Sequence, residues 1–155
     1  MIQLFLNVLL LLNIYIIFLI CKYLHLVDHH GEQIGYSEVW LNNTNDYAHR
    51  HLLKVCDKMV EISNMYKDSK DPIIIRALNQ MARELLLLQS SDWLFIITNG
   101  TMVEYAHKRI KEHTGRFNAL YDMVKNNNIH NHYLTNLELK DDIFPDISFK
   151  IYCTN

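Results

Sequence analysis

Residues 44–66 read TNDYAHRHLLKVCDKMVEISNMY, and their reading decides the fold. Leu52, Val55, Met59, Ile62 and Tyr66 recur at steps of three and four, which places them on one stripe of an α-helix, while the charged residues fall between them. Thr44 or Asn45 can cap the start, and Asp46 suits the positive end of the helix dipole. Lys67-Asp68-Ser69-Lys70 then breaks the pattern as a turn. Asp71-Pro72 follows as a start signal, a capping carboxylate before a proline at the first helical position.

The second helix runs from there to about Gln89, and its end, Leu85 to Leu88, is apolar all round, predicting burial between neighbours. Ser90-Ser91-Asp92 can cap a short helix through Trp93 to Ile97, and Asn99-Gly100 reads as a turn. Thr101-Met102-Val103-Glu104 has the spacing of a capping box, in which Thr101 and Glu104 each satisfy a backbone donor. A long helix then turns Val103, Ala106, Ile110, Phe117, Leu120 and Val124 inward, until Asn126-Asn127-Asn128 stops it. A shorter helix covers His132 to Leu139. Pro145 keeps the tail, with Phe144, Ile147, Phe149 and Ile151, from becoming an early helix. Short connections between such helices give an all-α, antiparallel helical bundle with a short irregular C-terminal tail.

Upstream, residues 2–21 are almost wholly apolar, IQLFLNVLLLLNIYIIFLIC, and long enough for a hydrophobic helix that spans a bilayer. No Lys or Arg precedes them, so the charged start of a signal peptide is missing. They read either as a membrane anchor or as a non-native start of the chain. The domain organisation that follows is a hydrophobic segment over 1–27, a polar linker over 28–43 carrying Trp40, and the bundle over 44–155.

A chain of 155 residues with half its residues hydrophobic can bury one core. The net charge of −2 gives no general attraction to nucleic acid. Cys21, Cys56 and Cys153 are odd in number and widely spaced, which speaks for reduced thiols rather than a disulfide frame or a zinc site. His49 and His51 stand two apart on a helix and point to different sides, a poor ligand pair, and no metal or other cofactor is expected. There is no phosphate-binding glycine loop and no GxSxG. Asp71, Asp141 and Asp142 read as cap and turn residues rather than as a catalytic pair.

Three stretches, Gly35-Tyr36-Ser37-Glu38-Val39-Trp40-Leu41-Asn42, Leu85 to Trp93 (LLLLQSSDW) and Asp142-Ile143-Phe144-Pro145-Asp146, together resemble the C-terminal helical domain of the glycoside hydrolase family 57 1,4-alpha-glucan branching enzymes. The resemblance covers roughly residues 35 to 152. It implies a part played in alpha-glucan (glycogen) metabolism by a cytoplasmic transferase. In that family the reaction, a retaining transfer of an α-1,4 chain onto a 6-hydroxyl, needs two closely held carboxyl groups on a catalytic barrel. A barrel alone takes about 200 residues or more, so the chain reads as a non-catalytic domain, inactive by itself, whose partners are that barrel and an alpha-glucan. The resemblance also implies that Trp40 is a substrate-binding residue lining the cleft, since a flat aromatic face matches the C–H face of a glucose ring. Just upstream the family has Ser-Trp-Gly-Glu, where this chain has His30 before Gly31-Glu32. Tyr47 stands where the family often has Trp, and is expected to pack or to contact the barrel. Trp93 is expected to be a packing residue. From another class comes the alternative of a membrane-anchored helical interaction module, which requires residues 2–21 to be native.

Overall fold

The computed structural model describes residues 42–154. The described residues belong to one compact unit, Val39–Asn155. They form helices α1 (Asp46–Met65), α2 (Pro72–Leu88), α3 (Asp92–Asn99), α4 (Val103–Lys125) and α5 (Asn131–Lys140), closed by a 3-10 turn at Phe149–Tyr152. The expected all-α bundle is thus present. The expected N-terminal hydrophobic helix lies outside the described residues, as does Trp40. No described helix is long and apolar enough to cross a membrane.

The stripe read on α1 faces the core: Val55, Met59 and Ile62 are buried, with Leu52 and Tyr66 half-buried at its edges. Asp71 caps α2 as its position demands, its Oδ1 accepting the Ile73 N–H at 3.0 Å, with Pro72 at the first helical position. Helix α2 is the central element. Ile74, Ala77, Leu78, Met81, Ala82, Leu85 and Leu88 are all buried, and α4 makes its most extensive contact here. Only part of the Leu85–Leu88 run is fully enclosed, because Leu86 and Leu87 lie on the flank of α2 and stay half-buried.

Three ends differ in mechanism from the sequence reading. Asn45 does occupy the cap position of α1, but its side chain does not cap the helix: Oδ1 accepts the Asn42 N–H at 2.9 Å and Nδ2 donates to Thr98 Oγ1 at 3.1 Å. Asn42 Nδ2 donates to the same hydroxyl at 3.1 Å, so the segment leading into α1 is latched to α3. The capping box at Thr101–Glu104 does not form. Gly100 takes the left-handed conformation (φ 72°) that closes α3, and two further residues are spent turning the chain, so α4 starts at Val103 behind Met102. Thr101 is then one position too early to bond the third helical N–H. At the far end α4 stops where the triple asparagine predicts, with Asn127 supplying the left-handed residue (φ 48°).

The tail is a strap. Ser148 caps the 3-10 turn, the Phe149 N–H donates to Asn79 Oδ1 of α2 at 2.9 Å, and Thr154 pairs with Asn64 of α1. Ile147, Phe149 and Tyr152 are buried beneath it, so the tail completes the core between α1 and α2.

Candidate functional site

Two constellations of polar side chains stand out, one enclosed and one open. The enclosed one joins α2, α4 and α5. Glu84 and His113 are fully buried, with Glu84 Oε2 2.7 Å from His113 Nδ1. The carboxylate accepts, so Nδ1 carries a proton, and Nε2 has no hydrogen-bond partner among the described residues. Gln80, also fully buried, donates to Glu84 Oε1 at 3.0 Å and reaches the carbonyls of Leu137 and Asp141 at 3.3 and 3.4 Å. Arg116 lies 2.7 Å from Asp141 Oδ2 and 3.9 Å from Glu84 Oε2. Arg83 closes the rim on Gln80 Oε1 and on the carbonyls of Ile143 and Pro145.

Donor atoms of Glu84, His113 and Asp141 come within 4.8 Å of one another, a spacing that could suit a cation. The place is already taken by charge of that sign. One guanidinium group, that of Arg116, contacts both carboxylates, at 2.7 Å from Asp141 and 3.9 Å from Glu84. The set therefore does the work of a buried ion-pair network that fixes three elements in register. Asp141 has the end-of-helix position expected of it, as the C-terminal cap of α5, and adds the ion pair that sequence alone did not show. His113 was missed, although a signal was present: the inward stripe of α4 jumps from Ile110 to Phe117, over six residues, and 113 is a position on that face.

The open constellation is a groove of about 460 Å³ between α1 and α4. Tyr47 and His51, one helical turn apart, form the α1 wall. His107, Lys111, Thr114 and Gly115 form the α4 wall, over a floor at Ile110. The Tyr47 hydroxyl bonds His107 Nδ1, and the Tyr47 ring lies 5.5 Å from the His107 ring and 6.3 Å, edge-on, from that of His51. Burial pushes the Tyr47 hydroxyl above the usual tyrosine range, so it stays protonated at neutral pH and can serve as a donor. Tyr47 thus packs within its own domain on a wall that is open to a ligand.

Trp93 behaves as a packing residue. Its indole N–H donates to the Leu87 carbonyl at 2.8 Å, and its ring meets Tyr105 edge-on at 6.0 Å. Trp40 lies outside the described residues, which begin with Asn42 and its bond to Thr98.

The family model described as 1,4-alpha-glucan branching enzyme, C-terminal, matches residues 51–152, which takes in α1 from its second turn through the 3-10 turn. The 1,4-alpha-glucan branching enzyme TK1436 of Thermococcus kodakarensis is 35% identical over 112 residues, 70% of this chain and 16% of the relative. Among solved structures, the GH57-type branching enzyme of Pyrococcus horikoshii superposes with a TM-score of 0.71 at 32% identity, covering 80% of this chain and 24% of that one. The alpha-amylase AmyC of Thermotoga maritima superposes with a TM-score of 0.67 at 44% identity, over 74% of this chain and 22% of that one. The chain thus spans about a sixth to a quarter of the length of these relatives.

Proposed function

Because the chain belongs to the 1,4-alpha-glucan branching enzyme C-terminal family, we propose that it serves as the non-catalytic helical domain of a cytoplasmic alpha-glucan branching enzyme. In this reading it packs on a catalytic barrel and offers Trp40 as a stacking surface for a glucan chain. The observation that carries the reading is the family match over 51–152, which coincides with the bundle itself and not with a stray motif. The position of the carboxylates supports the non-catalytic part. Glu84 and Asp141 are buried and both face Arg116, so they cannot present the exposed nucleophile and acid/base pair that a retaining transfer requires.

The test is complementation. A related GH57 branching enzyme is truncated to remove the portion matching residues 51–152, and the 155-residue chain is added back. The chain alone is expected to give no shift in the iodine stain of amylose. Addition is expected to raise the transfer activity of the truncated enzyme and to co-migrate with it. A chain that neither binds the truncated enzyme nor changes its activity refutes the proposal.

A further inference from the structure

We propose that the groove between α1 and α4 is itself a binding site for a short stretch of α-1,4-glucan. The inference rests on the reading of the chain as part of an alpha-glucan enzyme, and extends it to a surface of this chain that holds sugar on its own.

The chemistry of the walls fits a sugar. A glucose ring presents apolar C–H faces and a rim of hydroxyl groups that both donate and accept. The groove opposes the two: carbon-rich surface from the Tyr47 ring and Ile110, with the ring nitrogens of His51 and His107 and the ammonium of Lys111 around it. No acidic side chain lines the groove, which leaves the Lys111 ammonium and the His51 ring to meet the oxygens of a sugar's hydroxyl groups. The lining residues of α4 follow steps of three and four from His107 to Gly115, so the groove runs along the helix for about 12 Å. That suits an oligosaccharide lying lengthwise.

Among the lining residues, Gly115 adds a further observation. It sits in the interior of α4, exposed, where glycine is a poor helix former. Its φ is not in the left-handed region, and a Cβ placed there would meet nothing within 4 Å, so neither backbone conformation nor close packing requires a glycine. A side chain at this position would project into the open space of the groove. The missing side chain leaves that space clear for a ligand.

The same glycine supplies a clean experiment. Maltohexaose is titrated into the full 155-residue chain, followed by amide chemical shifts, with cellohexaose as the control of opposite linkage. Maltohexaose is expected to move the amides of Tyr47, His51, His107 and Lys111, and cellohexaose to leave them in place. Gly115→Leu should weaken maltohexaose binding by at least about tenfold while its melting temperature stays at or above that of the parent, because leucine favours the helix. His51→Ala should weaken binding without changing the fold. The inference is overturned if maltohexaose leaves the groove amides unmoved, or if Gly115→Leu binds as well as the parent. Complementation of a truncated enzyme by a chain whose groove binds no maltohexaose would sink this inference and leave the proposed function standing. Groove binding without complementation would do the reverse.

Discussion

Replacing Arg116 by methionine should cost this domain a large part of its stability, and the amount follows from where the guanidinium sits. Its side chain is 12% exposed, 2.7 Å from Asp141 and 3.9 Å from Glu84, which are 7% and 0% exposed. Methionine fills much of the same volume but leaves two enclosed carboxylates without their common cation. Removing one member of a buried pair costs about 3–5 kcal/mol, because the charge left behind has lost its counter-ion while shut away from water. For a domain of this size the melting temperature falls by about 4 °C per kcal/mol, so a drop on the order of 12–20 °C is expected. The control is Lys125→Met. The Lys125–Glu61 pair has the same 2.7 Å separation, but its side chains are 34% and 49% exposed, and solvent screens it. Its loss should leave the melting temperature nearly unchanged. Both variants are read by thermal melts followed by circular dichroism, together with Arg116→Met/Asp141→Asn, which should recover part of the loss. Equal shifts in Arg116→Met and Lys125→Met would refute the argument that burial, not distance, sets the worth of these pairs.

Other outcomes follow from single atoms. The Tyr152 hydroxyl is buried without a partner among the described residues, and burial pushes it far above the usual tyrosine range. A raised folded value means that stability is intact below the unfolded value of about 10 and is lost as pH climbs from there toward the folded value. Tyr152→Phe should therefore gain up to about 1 kcal/mol near neutral pH and lose less than the parent between about pH 9 and pH 11 in urea melts. Asp71→Ala removes the acceptor for the Ile73 N–H and should cost about 1 kcal/mol by the same melts. Gly100→Ala places a Cβ on a residue at φ 72° and should cost about as much. In the complemented enzyme, Trp40→Ala should lower glucan transfer by up to about tenfold with little change in melting temperature; a variant that unfolds instead would make Trp40 a core residue.

Much of the architecture could be read from periodicity, because a stripe such as Val55-Met59-Ile62 has only one way to be buried at once. Asp71-Pro72 was legible to the residue, since both members of the signal act within one turn. The ends that needed knowledge of a neighbour were not. Asn45 turns from its helix to Thr98, fifty-three positions away, and Thr101 loses its capping role to the two residues that the α3–α4 corner consumes. The buried network was illegible for a related reason. Patterning assigns Glu84 and Arg116 to solvent by type, and only the tertiary meeting of α2, α4 and α5 makes their burial affordable. The groove at Tyr47 was half visible, as an aromatic expected to touch something. Its partners on α4 lie sixty residues downstream, beyond any local signal.

The strap formed by the tail also has a bearing on time. Phe149 closes the core against α2 through a bond to Asn79, seventy positions earlier in the chain. A ribosome adding about 5–20 residues per second needs roughly 4–14 s to cover that span. Throughout that interval α1 and α2 can pair, yet the seat of Phe149 stays vacant and greasy. The nascent domain is therefore most exposed to misassembly late in its synthesis, and shortening the wait, or occupying the seat with a chaperone, should raise the yield of folded protein more than any change to the helices themselves.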